Sequence, residues 1–450
     1  VRIDLFRMER MQSLHWHRVE YDLSESGVSP LRVEELLGDG LDRRALLETR
    51  LGYPLSEGSE LLRERIAAWY PGAGRDNVTV VNGGSEANHL ALWSLLEPHD
   101  RIALMLPNYM QAWGLGRHLV GRVDVFRLRL RRGRWALDLE GLERAVTGRT
   151  RVVMVCNPNN PTGAVLDANE MDAVVAAARR ARAWLLADEI YRGAERVGAS
   201  PTPSFWGRYE RVAVTAGLSK GFGLPGLRIG WIVAPKALVA KVWVRHDYTT
   251  LTPGMLSDRL AAAALGPQRR ERILARTRAT LARQWPQLEA WLQAHDGLFE
   301  WAAPQAGAIA LARYRLPLGS TALVDRIRRE CSVLLVPGDS VGAGRSLRFG
   351  FGYDIERTLA GLRRVDQVLA RLGAPGTERA PTRQTARTAV RATARATQTA
   401  SAGATKRASA GATERASAGA TERASAGATQ TASAGATTLR TTVGNKPSSS

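Results

Sequence analysis

"AGLSKGFGLPGLRIGW" occupies residues 216–231, and its lysine is out of character with the rest of the chain. Of 63 Lys and Arg residues only five are lysine, at positions 220, 236, 241, 406 and 446. A chain that uses arginine wherever a plain positive charge suffices keeps Lys220 for a task that arginine cannot perform. An ammonium can lose its proton and attack a carbonyl, whereas a guanidinium in a protein stays protonated. The apolar run RVAVTA (211–216) leads into the stretch and RIGWIVAP (228–235) leads out of it. Alone, Lys220 is equally a loop residue, so its neighbours decide the reading.

Working outward, NVTVV (77–81), RIALMLP (101–107), RVVMVCNP (151–158) and AWLLADE (183–189) read as further short buried strands. Helical patterns lie between them. SEANHLALWSLLE (85–97) opens on a serine cap with an acidic first turn, and ANEMDAVVAAARRAR (168–182) has the apolar spacing of one helix face. Strands alternating with helices predict a mainly parallel α/β sheet flanked by helices, whose ligands bind beyond the carboxyl ends of the strands. The unusual residues fall there: Gly83-Gly84-Ser85, Pro107-Asn108-Tyr109, Asn157 to Gly163, Asp188 and Lys220.

The 450 residues suffice for a large core and two domains. The pattern sets off an N-terminal segment (1–45), a large domain (46–255), and a smaller α/β domain (256–372). The smaller domain opens with a long helix from about 261 to 294 and closes with one over about 354–372. The first 45 residues read as irregular and are expected to pack with it. Residues 373–450 repeat ASAGAT-type octads and hold 11 Lys or Arg against three Glu, with almost nothing to bury, so they are expected to be a disordered low-complexity tail. That tail takes much of the net charge of +20. The remaining arginines are scattered rather than clustered, which argues against nucleic acid as a partner and leaves a surface that attracts anions. No apolar run is long enough for a membrane span, and the opening VRIDLFRMERMQ has no signal-peptide core. With two cysteines, each in an apolar segment, a reducing cytoplasmic setting is expected.

A carbonyl cofactor held by a lysine needs a charged, oriented ring and donors for its anionic groups. Asp188 is placed to pair with a protonated ring nitrogen, as pyridoxal phosphate sites require. Tyr191 and Asn160 supply donors for a ring oxygen, and Tyr109 an aromatic face. Gly84 and Ser85 offer backbone N–H groups and a hydroxyl at a helix start. Arg228 offers a guanidinium fork for the phosphate. Singly, Asp188 reads as a helix cap, Arg228 as a surface arginine and the tyrosines as core aromatics.

Together, GGSEA (83–87), NPNNPTG (157–163), ADEIY (187–191) and LSKGFGLPGLRIGW (218–231) resemble, in order and spacing, the class I/II aminotransferases, the fold-type-I pyridoxal phosphate enzymes, over about residues 20–372. The resemblance implies pyridoxal 5′-phosphate as cofactor, with Lys220 as the Schiff-base lysine and Asp188 as the ring-nitrogen partner. It makes Asn160 and Tyr191 the ring-oxygen donors and Tyr109 the stacking aromatic. Gly84, Ser85, Ser219 and Arg228 match phosphate ligands, and Arg348 matches the arginine that grips a substrate α-carboxylate. Tyr53 matches a tyrosine lent to the neighbouring subunit's phosphate, which implies a homodimer with shared sites. The reaction implied is amino transfer between an amino acid and a 2-oxoacid. One departure stands out: the family often has serine three residues before the lysine, and Gly217 stands there.

RHDYTTLTPG (245–254) and VPGDSVGAGRSLRFGF (336–351) also resemble capreomycidine synthase-type cyclases of the same family, which act on an arginine derivative. A cofactor-sensing transcription regulator fits less well, because the residues before the domain show no helix-turn-helix pattern. Two motifs are set aside. GFGLPG (221–226), with Asp247 about 20 residues on, matches a dinucleotide fingerprint, but a strand follows it where a helix is required. HWH (15–17) has no third ligand nearby, so no metal is expected and its histidines read as surface residues.

Overall fold

The computed structural model describes residues 3–37, 43–198 and 200–373. The tail set off in the sequence lies, apart from Gly373, outside the described residues. The chain enters through a helix, Arg7–His15, and a two-residue strand, β1 (Tyr21–Asp22). The large sheet follows: β2 (Val78–Val81), β3 (Arg101–Leu106), β4 (Val123–Arg131), β5 (Arg134–Leu137), β6 (Thr150–Cys156), β7 (Trp184–Asp188), β8 (Val212–Gly217) and β9 (Gly230–Val233). Its spatial order is β2-β9-β8-β7-β6-β3-β4-β5. The pairs among β8, β7, β6, β3 and β4 are parallel, while β9 runs against both neighbours and β5 runs against β4.

Burial explains why these runs are strands. β2, β8 and β9 are buried throughout, because helices cover both faces of the sheet. On one face the helices Gly84–Leu95 and Lys236–His246 pack with Ile102, Leu104 and Ile232. On the other, Ala168–Arg180 packs with Val153, Val155 and Leu185. That helix starts where the sequence predicts it, with Asp167 and Glu170 forming a reciprocal capping box.

From β3 the chain proceeds to one side of the sheet, through β4 to β5, and returns to lay β6 on the other side of β3. The order therefore reverses between β3 and β6, and such a switch point opens a crevice at the strand ends. Pro107-Asn108-Tyr109 follows β3 and Asn157–Asn160 follows β6, so both border that crevice.

The second layer is a four-stranded antiparallel sheet of β10 (Phe299–Trp301), β11 (Ile309–Tyr314), β13 (Val336–Pro337) and β14 (Ser346–Gly350), ordered β10-β11-β14-β13. A separate pair joins β1 to β12 (Val333–Leu334). Leu281, Trp285 and Leu288 of a long helix, Leu323 and Ile327 of a second, and Val365 and Leu369 of the last form its core.

Three details differ from the sequence reading. Within the N-terminal segment, read as irregular, Arg7–His15 is helical and buries Met8 and Gln12. The long helical stretch is two helices, Met255–Ala264 and Pro267–Ala294, separated at Leu265-Gly266 by a proline that opens the second. The β4–β5 hairpin has no counterpart in the sequence reading. Its turn residues Arg132 and Gly133 both have positive φ, 51° and 72°, as a tight two-residue hairpin demands.

Candidate active site

The carboxyl ends of the large sheet form the floor of a cavity of about 1180 Å³. Lys220 follows β8, Asp188 ends β7, Asn160 follows β6 and Tyr109 follows β3. Arg348 enters from β14 of the smaller sheet, where it pairs in register with Leu311 and Val336. These five line the cavity, as do Gly84, Ser85, Tyr191, Ser219 and Arg228. Tyr53 alone of the site residues expected from sequence is outside it; it is 85% exposed on the surface.

Asp188 is buried and held in place. Asn88 Nδ2 donates to its Oδ2 at 2.8 Å, and the Ile190 amide donates to Oδ1 at 3.1 Å. Asn88 is itself oriented by Thr215, whose hydroxyl donates to Asn88 Oδ1 at 2.6 Å. Burial pushes the Asp188 carboxyl above its ordinary value, against those two hydrogen bonds. A carboxylate in that condition is strongly stabilised by a cation placed against it.

Lys220 Nζ lies 3.1 Å from Glu25 Oε1, a partner 195 residues away in sequence. Burial pulls the ammonium down, but the Glu25 charge, aided by Tyr191, outweighs it and leaves Lys220 above the ordinary lysine value. For Glu25 burial works upward, and the Lys220 charge and hydrogen bond overcome it and carry the carboxyl down to about 2. The Ser26 amide also donates to Glu25 at 2.9 Å.

Arg348 is buried, and burial lowers its pKa. Its Nη1 donates to Asn160 Oδ1 at 2.9 Å and its Nη2 to the Ser24 carbonyl at 2.5 Å. Its Nε has no hydrogen-bond partner among the described residues. No group there meets the geometry of a hydrogen bond to the buried Tyr191 hydroxyl either, although Ser26 lies beside it.

Around the helix Gly84–Leu95, Gly83 provides the entry and Arg228 lies against it, so that a Cβ at Gly83 would collide with Arg228 Nη2. Helix N-terminus, Ser85 and guanidinium together make a cradle for a dianion. Gly217 is explained by close packing: a Cβ there would meet the Ile229 carbonyl at 2.8 Å and Gly230 Cα at 3.1 Å. The hydroxyl usual at this position in the resembled family has no room.

These features fit pyridoxal phosphate: a buried carboxylate lacking a cation, an unpartnered phenol, an anion cradle and a lysine amine share one cavity. Tyr109 sits differently from the sequence expectation in one respect. Its hydroxyl donates to Glu9 Oε1 at 2.8 Å and its ring meets Phe6 edge-on at 4.9 Å, so the N-terminal helix covers it. His17, read as a surface residue from sequence, is exposed and borders the cavity, as does the half-buried Trp16, and no group of metal-ligating side chains occurs among the described residues.

Sequence reasoning missed Asn88, Glu25 and Glu9. Asn88 lies one turn into the helix after GGSEA on its buried side, a signal that was available. Glu25 and Glu9 come from a segment with no motif, joined to the site by contacts distant in sequence.

With this geometry established, the comparisons with known proteins are specific. Residues 25–365 match the family described as aminotransferase class I and II. The chain is 33% identical over 366 residues to capreomycidine synthase of Streptomyces vinaceus, covering 77% of this chain and 91% of that protein. Among solved structures, a PLP-dependent aminotransferase from Streptococcus suis superposes with a TM-score of 0.77 at 28% identity, over 83% of this chain and 99% of that one. The PLP-dependent cyclase OrfR does so at 0.75 and 30%, over 82% and 98%.

Proposed function

This chain belongs to the class I and II aminotransferase family, and on that premise we propose that it moves an amino group between an amino acid and a 2-oxoacid. Pyridoxal 5′-phosphate is its cofactor. The observation that carries the proposal is the meeting of Lys220, Asp188, Tyr191 and Arg348 in one cavity.

In this reading Lys220 is the covalent anchor. Gly84, Ser85, Ser219 and Arg228 hold the phosphate. Asn160 and Tyr191 donate to the ring oxygen, and Tyr109 covers the ring. When bound, the cofactor supplies a sink for the electron pair left as a Cα bond of the substrate breaks. Asp188, fixed by Asn88, keeps the ring nitrogen charged. Arg348 holds the substrate α-carboxylate in fork geometry and so fixes which Cα bond is presented. The Lys220 amine would take the proton at the substrate Cα and return it.

A second reading is favoured by the similarity to capreomycidine synthase along 91% of its length and to the cyclase OrfR along 98%. The same floor and the same proton step then lead to elimination and ring closure rather than amino transfer. Purified protein mixed with candidate amino acids, with and without a 2-oxoacid, separates the two. Amino exchange that depends on the oxoacid supports transfer, and a cyclised or eliminated product formed without it supports the second reading. Neither product, or turnover that survives Lys220→Ala, overturns both.

The reading includes a homodimer in which Tyr53 reaches the neighbouring copy's phosphate, and a cytoplasmic setting. The exposed Leu47, Leu51, Tyr53 and Leu55 support the first as an apolar strip suited to a second copy. The two free, buried cysteines fit the second. A monomer by sedimentation at micromolar concentration would sink the dimer.

A further inference from the structure

Lys220 has a partner that the reaction above does not use. Residues 9–25 form one wall of the cavity, and from it Glu25 reaches Lys220, with 3.1 Å between Oε1 and Nζ. The contact is held from several sides. The Ser26 amide donates to the same oxygen at 2.9 Å and the Gly27 amide at 3.2 Å. The backbone of Glu25 lies hard against β14, where a Cβ at Gly350 would collide with the Glu25 carbonyl oxygen. The Gly350 amide in turn donates to the Leu23 carbonyl at 2.8 Å. Among the described residues no donor reaches Oε2 of Glu25, so one carboxylate oxygen is fixed and the other is free of protein donors. The other acidic groups of this wall are engaged elsewhere: Glu9 accepts from the Tyr109 hydroxyl, and Asp22 from the amide and hydroxyl of Ser24.

Two amines must change places on one carbon when a substrate enters. The amine of an amino acid arrives as an ammonium ion and has no lone pair until it loses a proton. The departing Lys220 nitrogen leaves readily only if it gains one. With the substrate α-carboxylate on Arg348, the α-amine is directed toward Lys220, whose place it takes. Glu25 is the carboxylate that feels both Lys220 and Arg348. Besides these two, the titratable groups in its field are Asp22 of β1 and Tyr353 beyond β14. While Lys220 is an ammonium ion, its charge and hydrogen bond overcome burial and hold the Glu25 carboxyl down at about 2. Once Lys220 gives up that ammonium, burial, which pushes the carboxyl upward, is opposed only by the Ser26 amide and Arg348. The carboxylate thus becomes a better proton acceptor at the stage when one is needed.

We propose that Glu25 carries the proton between the two exchanging nitrogens: its carboxylate takes a proton from the incoming ammonium and delivers it to Nζ of Lys220. The carbon–nitrogen bond to the substrate forms as the one to Lys220 breaks. The proton moves from one nitrogen to the other, and no further reactant is consumed. The inference rests on the assignment of Lys220 and Arg348 made above. It holds for amino transfer and for ring closure alike, because both begin with this exchange.

The test is the rate of exchange, read from the cofactor absorbance when full-length protein loaded with pyridoxal phosphate is rapidly mixed with three amines. L-Alanine and methylamine arrive as ammonium ions at neutral pH. O-Methylhydroxylamine arrives as a free base and needs no proton removed. At saturating amine, which sets aside any attraction of cations to the site, Glu25→Gln is expected to slow the first two on the order of 10²-fold and the third by less than about threefold. Toward alkaline pH the deficit should close, as the ammonium ions lose their protons to solvent. Glu25→Asp, which keeps a carboxylate, should restore part of the rate. A second readout uses cofactor-free protein. There burial pulls Lys220 down and Glu25 holds it up, so Glu25→Gln should lower the pH at which an amine-acylating reagent labels Lys220. Equal slowing of all three amines, unchanged rates for all three, or an unchanged labelling pH overturns the inference. If Glu25→Gln fails to fold or to take up cofactor, the wild type decides it. A methylamine rate that rises in proportion to the free-base fraction from neutral to alkaline pH overturns the inference, and a weaker dependence supports it. Failure of the underlying reading looks different: no amine alters the absorbance, or borohydride fixes the cofactor at a residue other than Lys220, and the inference then falls with it.

Discussion

The floor and the wall of the cavity are built on opposite principles. The floor is five strand ends of one buried sheet, and each of its groups lies within a short stretch of sequence that also builds the turn holding it. The wall comes from residues 9–25; its contacts to the floor span 100 residues for Glu9–Tyr109 and 195 for Glu25–Lys220, and its contact to Arg348 of the smaller sheet spans 324 from Ser24. The floor carries the groups assigned above to the cofactor. The wall adds acidic groups, Glu9 and Glu25, that reach it. The chemistry proposed for the floor is thus local in sequence, while the wall that closes on it is distant.

Breaking the floor has the largest expected effect. Asp188→Ala removes the carboxylate assigned to the cofactor's ring nitrogen, and turnover should fall on the order of 10²-fold or more while the fold persists. Equal loss of thermal stability and activity would mean that Asp188 only supports the core. Asn88→Ala probes the same floor one contact further out and should shift the cofactor's absorbance with a smaller loss of rate.

Glu25 joins the two regions, and its pH dependence sharpens the comparison in the cofactor-free protein. Its carboxyl, ordinarily near 4.5, is held at about 2, so the pair's contribution is present above 4.5 and is lost as pH falls toward 2. Lys220, raised above its ordinary 10.5, gives the matching limit: the contribution is complete below 10.5 and is lost at higher pH. These are one interaction seen from both partners. Glu25→Gln should flatten the acid limb and cost roughly 1–3 kcal/mol in cofactor-free protein, measured by denaturant unfolding across pH. An unchanged acid limb would show that the wall does not hold Lys220.

Gly217→Ser tests whether the floor tolerates the hydroxyl usual in the family. A Cβ at this position falls 2.8 Å from the Ile229 carbonyl, so the variant should lose about 1–3 kcal/mol of stability. Undiminished stability in Gly217→Ser, together with tighter cofactor binding, would contradict the packing account.

The smallest effect lies in the second layer, away from both regions. His295 Nε2 sits 3.2 Å from Asp366 Oδ1, and its Nδ1 lies 2.9 Å from the Trp291 carbonyl. Burial works against the imidazolium, but Asp366 and the carbonyl raise its pKa overall. A raised histidine contributes most below its ordinary value of 6.5 and loses that contribution as pH rises through the folded value. Asp366→Asn should flatten this dependence between mildly acidic and mildly alkaline pH, with no change in turnover, as denaturant unfolding across pH would show.

The same contrast accounts for what the sequence made legible. The strands of the floor are apolar runs bounded by turns, so their periodicity is visible, and the residues after them form local motifs. The β4–β5 hairpin was hidden because LRLRRGRWAL alternates leucine with arginine in a chain rich in arginine, so the strand pattern passes for general basic composition. The helix Arg7–His15 was hidden for a different reason: only Met8 and Gln12 of its nine residues are buried, leaving no apolar stripe to read. Glu25 and Glu9 are ordinary acidic residues until folding brings them to Lys220 and Tyr109. No spacing rule reaches across 195 residues.

The central claim is that the Lys220 amine carries the cofactor. Purified protein is incubated with pyridoxal phosphate, reduced with borohydride, digested and mapped by mass spectrometry. The account predicts a single modified peptide with the reduced adduct on Lys220, absent from Lys220→Ala. An adduct on Lys236 or Lys241 instead, or no adduct at all, would contradict it.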